Sequence, residues 1–76
     1  MSPKLPRITA AELVKALKRE GWFESRQSGS HLILRHLDRT GHVAVPMHAG
    51  KTVAVGLLSS ILSDAGLNVN DLRRLL

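Results

Sequence analysis

The sequence predicts an α+β domain with helices packed on one face of a three-stranded antiparallel sheet. Three observations lead there. Apolar residues recur at helical spacing towards both ends of the chain, and they alternate with polar ones in its middle. Turn residues at Gly21, Gly29, Gly41, Gly50 and Gly66 separate these segments. The expected order is helix, three strands, helix and a short C-terminal helix.

The first helix has a complete start and stop. Thr9 and Glu12 stand at capping-box spacing, with Ile8 and Leu13 at the flanking staple positions. Leu13, Val14 and Leu17 form one apolar stripe, while Lys15, Lys18 and Arg19 fall outside it. Gly21 supplies the left-handed residue that ends many helices. Residues 1–7 contain two prolines and no periodicity, and are read as a loose arm.

Trp22–Gln27 reads as a strand, followed by the break Ser28-Gly29-Ser30. His31–Leu37 and His42–Met47 read as two more, joined by a hairpin loop over Asp38–Gly41. Pro46 suits a strand end or an edge. Ala49–Val55 is a connection, after which Leu57, Leu58, Ile61, Leu62 and Ala65 resume helical spacing until Gly66. Asn68 can cap a last helix docked by Leu72, Leu75 and Leu76. Both main helices are amphipathic, so both are expected on the apolar face of the sheet, with the other face open. This arrangement resembles that of double-stranded-RNA-binding domains.

Composition bounds the function. A chain of 76 residues with 43% hydrophobic and 22% charged residues makes one globular domain. It has no cysteine, which excludes a disulfide staple and a thiolate metal site. No apolar run is long enough to span a membrane, and Met1–Ile8 lacks the apolar stretch of a signal peptide, so a cytoplasmic location is expected. Eleven Lys and Arg against six Asp and Glu leave a formal charge of +5, which favours a polyanion or an acidic protein as partner. Trp22 and Phe23 are the only aromatics, too few for a multi-residue base-stacking platform.

A loop at Asp38–Gly41 sets the hairpin register. Leu34 then opposes Val45, His36 opposes Val43, and Leu32, Leu34, Val43 and Val45 share the core face. The other face collects His31, Ile33, Arg35, Leu37, His42, Ala44 and Pro46, and the same register sets His31 against His48. Two imidazoles so placed, with Arg35 beside them, suit a phosphate site. One could act as base and the other as acid in phosphodiester cleavage, with the ribose 2′-OH as internal nucleophile. The same histidines also fit ordinary surface positions, and His36 and His42 are expected to be such residues. His31 and His48 have no carboxylate or thiol near them in sequence to complete a metal site.

Arg26-Gln27-Ser28-Gly29-Ser30-His31 resembles the motif of the HicA toxins of HicA–HicB toxin–antitoxin pairs. Val45-Pro46-Met47-His48 resembles that family's V-P-x-H strand end, and Gly50-Lys51 its following turn. Gly56–Leu62, closed by Asp64-Ala65-Gly66-Leu67, resembles its second helix, and Gly21-Trp22 the end of its first. The likeness covers nearly the whole chain from Thr9 onward. It implies a metal-independent endoribonuclease that cuts mRNA without a cofactor, using the histidine of the G-S-H motif, here His31. His48 is the expected second catalytic residue, with Arg26, Gln27, Ser30, Arg35 and Lys51 as expected RNA contacts. It also implies a HicB-like antitoxin covering the active site. One position departs from the pattern: the family often has Gly-Thr-Leu where this chain has Gly56-Leu57-Leu58.

The rival reading is a non-catalytic binder of double-stranded RNA. Such domains grip the duplex through lysines at the start of the second helix. Here that helix begins Gly56-Leu57-Leu58-Ser59-Ser60, with Lys51 as the only nearby base. A pure protein-interaction module is the third reading.

Overall fold

The computed structural model describes residues 5–76. Its elements run α1 (Ala10–Arg19), β1 (Trp22–Ser28), β2 (His31–His36), β3 (Val43–Pro46), α2 (Val55–Asp64) and α3 (Val69–Leu75). The strands form one antiparallel sheet in the order β1-β2-β3. This is the predicted α+β arrangement.

Local chemistry sets the helix ends. Thr9 and Glu12 form the predicted capping box, each satisfying a free N–H of the other. Asn68 and Asp71 repeat it at α3. α2 ends in a Schellman motif around left-handed Gly66: Leu67 N–H donates to the Leu62 carbonyl at 2.9 Å, and Gly66 N–H to that of Ser63 at 3.1 Å. The N-terminus of α2 has no side-chain cap, because its N-cap residue is Ala54.

Leu13, Leu17, Leu34, Val43, Val45, Leu58 and Leu72 are completely buried between the helices and one face of the sheet. Each large side chain so buried stabilises the fold by about 1.5–3 kcal/mol. Leu57 and Leu76, expected to pack, are 39% and 46% exposed. Residues 1–4 of the expected arm lie outside the described residues. Leu5 packs against the core, and Val53 N–H donates to the Ile8 carbonyl at 2.8 Å, tying the start of the chain to the β3–α2 connection.

The β2–β3 register differs from the predicted one by two residues. Leu34 pairs with Val43, not Val45, and His31 pairs with Pro46, not His48. The ladder to β3 ends at Leu34, and His36 lies beyond it. His36 is not the ordinary surface residue expected: it is half-buried, pairs with Trp22 of β1, and its Nε2 lies 2.9 Å from the carbonyl of Glu20 at the end of α1. Its Nδ1 accepts the Asp38 N–H at 3.0 Å, so Nε2 carries the proton and donates to Glu20. Arg39 then donates to the Ala65 carbonyl at 2.8 Å, at the end of α2. The loop is thus held against two helix ends, and it is longer than the four residues predicted, since the last ladder pair is Leu34 with Val43. A shift of two preserves the side-chain alternation, so Leu32, Leu34, Val43 and Val45 all face the core as predicted.

Candidate active site

The open face of the sheet is organised around the β1–β2 hairpin. Ser28 pairs with His31, leaving Gly29 and Ser30 as a two-residue turn. Gly29 has φ +60° and Ser30 does not have positive φ, which is the pattern of a type II′ turn. The glycine therefore serves the bend that places His31 at the first position of β2. Gln27 steadies the same bend, its amide donating to the Gly29 carbonyl at 3.2 Å.

A bulge decides what stands beside His31. Ser25 is left out of the β1–β2 ladder: Glu24 pairs with Leu34, and Arg26 with Ile33. Trp22 and Glu24 consequently share the helix side of the sheet with Leu34, whereas Arg26 shares the open side with Ile33. From the ladder, the open face carries Phe23, Arg26 and Ser28 on β1, His31, Ile33 and Arg35 on β2, and Ala44 and Pro46 on β3. Arg26 is the diagonal neighbour of both His31 and Arg35, within reach of long side chains. His31, Arg26 and Arg35 are exposed, and no carboxylate is among these eight residues. Ile33 is only 8% exposed although it lies outside the main core cluster, so its neighbours on this face cover it.

The remaining predicted site residues are placed differently. Gln27 pairs with Leu32 and so belongs to the helix side. Ser30 is in the turn, where its carbonyl accepts the Met47 N–H at 2.7 Å. His48 lies past the end of β3 and begins a turn closed by Lys51 N–H to the His48 carbonyl at 3.2 Å. It lines a groove with Thr9, Ala10, Ala11, Met47, Ala49 and Gly50. His48 is therefore not the cross-strand partner of His31, because the register shift puts Pro46 there and the chain turns after Met47. Lys51 is exposed at the end of that turn.

Two residues of the face escaped the sequence reading. Ser28 opposite His31 could have been found by reading Gly29-Ser30 as a two-residue turn. The place of Phe23 beside Arg35 follows from pairing against β2, which no local pattern announces.

This face is a positively charged surface with an exposed imidazole at one end and two guanidinium groups beyond it, suited to a phosphodiester anion. Among the described residues no group of three or more His, Asp or Glu is placed to hold a metal ion, and no helix is long and apolar enough to cross a membrane. No curated protein sequence matches the chain. A family model described as the HicA toxin of bacterial toxin–antitoxin systems matches residues 10–67. That match includes all three strands, α2 and the whole of the open face, and the chain belongs to the HicA toxin family.

Proposed function

We propose that this toxin is a metal-independent endoribonuclease that cleaves mRNA, with His31 as its essential histidine. The observation that carries the reading is an exposed His31 that shares an acid-free sheet face with Arg26 and Arg35 in a HicA-family chain.

In the proposed reaction Arg26 and Arg35 hold the scissile phosphate by charge-assisted hydrogen bonds. His31, neutral, takes the proton from the ribose 2′-OH as that oxygen attacks phosphorus. The bond from phosphorus to the 5′-oxygen breaks, leaving a 2′,3′-cyclic phosphate on one fragment and a 5′-hydroxyl on the other. The departing oxygen takes its proton from water or from His48. The guanidinium groups stabilise the extra negative charge of the transition state. Ser30 and Lys51 serve as further contacts to the RNA backbone, and Gln27 acts by holding the turn.

The antitoxin on this reading is a HicB-like protein with an acidic surface that covers the His31 face and neutralises its field. The pair acts in the cytoplasm.

The test is cleavage of single-stranded RNA by antitoxin-free protein in EDTA, with the fragment ends identified. Cyclic phosphate ends formed at an undiminished rate are expected. Loss of activity with chelator, restored by a divalent ion, would overturn the mechanism.

A further inference from the structure

We infer that Phe23 is a base-stacking residue, and that the RNA strand crosses the open face from His31 towards it. The inference rests on the reading of that face as the RNA-cleaving site and adds how the strand is held there.

The chain has one Trp, one Phe and no Tyr. Trp22 is buried at 2% exposure and packs edge-on against His36, with ring centroids 5.3 Å apart. Phe23, the next residue, points to the other side of the sheet and is 43% exposed. Phe23 is no part of the core cluster, and its ring lies on the same open face as Arg26, Arg35 and His31. Phe23 pairs with Arg35, and Arg26 stands between it and Ser28 on the same face of the strand.

The open face therefore runs from His31, past Arg26 and Arg35, to an aromatic ring. Arg35 is four positions along the strand from His31, about 13 Å at the usual rise. A phosphate at His31 leaves the bases of nearby nucleotides within reach of Phe23. Basic side chains interleaved with an aromatic ring bind single strands with little sequence preference, since every base has a π-face. A single ring grips one base and falls short of the multi-aromatic platform that sequence-specific readers use.

The experiment measures binding of a fluorescent single-stranded RNA oligomer to the non-cleaving His31→Ala protein, alone and with Phe23→Ala, Phe23→Leu or Phe23→Trp added. Stacking on this scale corresponds to roughly a tenfold loss for Phe23→Ala. Phe23→Leu keeps apolar bulk without an aromatic face and should lose about as much, while Phe23→Trp should bind at least as tightly. A scan with one abasic nucleotide moved along the oligomer should find one position that weakens His31→Ala protein and leaves the Phe23→Ala double variant unchanged. Thermal melts confirm that the variants remain folded.

If His31→Ala protein binds RNA and the Phe23 changes have no effect, the inference is wrong while the cleavage reading stands. The same holds if they weaken only the complex with the antitoxin. If His31→Ala protein binds no RNA and the parent protein cuts none, the cleavage reading fails and takes this inference with it.

Discussion

Arg26 pairs with Ile33 across the β1–β2 ladder because Ser25 drops out of it. The two ends of β1 are fixed independently. Trp22 is anchored in the core, and Ser28 is fixed opposite His31 by the two-residue turn. One more residue lies between those anchors than a regular ladder accommodates, and the bulge absorbs it. The consequence is that a guanidinium which unbroken alternation from Trp22 would turn towards the helices stands on the His31 face instead.

Arg26→Ala is therefore expected to weaken RNA binding and to make its salt dependence shallower. For a contact to one phosphate of a single strand, the slope of log K against log salt should fall in magnitude by about 0.7. Binding to His31→Ala protein across a range of salt concentrations measures this. A merely solvated Arg26 would leave the slope as it was.

His31 is exposed and fills no core volume, so His31→Ala should leave the melting temperature almost unchanged. The rate of RNA cleavage should fall by about 10²–10⁴-fold, the usual contribution of a general base. His48→Ala should lower the rate by less, because water can supply the proton that His48 is proposed to give. Equal losses in the two variants would instead point to an obligatory pair despite their separation in the ladder.

What could be read from the sequence was whatever neighbouring residues decide among themselves. Thr9 and Glu12 sit three apart and cap each other whatever the rest of the chain does. The face shared by Leu32, Leu34, Val43 and Val45 follows from alternation alone and survives an error of two in register. The register itself was not local. It goes with a loop in which His36 reaches the end of α1 and Arg39 the end of α2, contacts made across the fold. His31 was legible because the turn that presents it is contiguous with it. Arg26 was not placed by the same means, since its face depends on the bulge at Ser25, and Phe23 comes beside Arg35 only through pairing against β2.

The capping box at α1 also predicts a pH effect. Glu12 accepts hydrogen bonds from the Thr9 backbone N–H at 2.9 Å and from the Thr9 hydroxyl at 3.1 Å. These bonds, the backbone one foremost, hold its carboxyl below the ordinary value of 4.5, with Lys15 adding to the effect. A carboxylate with a depressed folded pKa contributes stability above its unfolded pKa and loses it as pH falls through the folded one. Wild type should exceed Glu12→Gln in stability near neutral pH, and the gap should narrow as the solution is acidified below 4.5. Urea midpoints across that range would show it. A constant gap would mean that the charge of Glu12 contributes nothing at the cap.

Gly21 and Gly29 make the sharpest contrast, because both adopt positive φ, +103° and +60°, in different surroundings. A Cβ at Gly29 would meet nothing within 4 Å. Gly29→Ala should therefore carry only the backbone penalty, about 1–2 kcal/mol. A Cβ at Gly21 would lie 2.6 Å from His36 Nε2, the atom that donates to the Glu20 carbonyl. Gly21→Ala must displace that imidazole as well, giving up its hydrogen bond and disturbing its edge-on contact with Trp22. Its cost should reach about 2–4 kcal/mol, the backbone penalty plus a lost hydrogen bond. In a His36→Ala background the imidazole is gone, and Gly21→Ala should cost less than it does beside His36, leaving its backbone penalty alone. Urea unfolding of the four proteins in the Gly21–His36 cycle measures the coupling directly. Equal costs of Gly21→Ala with and without His36 would show that the imidazole is not what requires glycine at the end of α1.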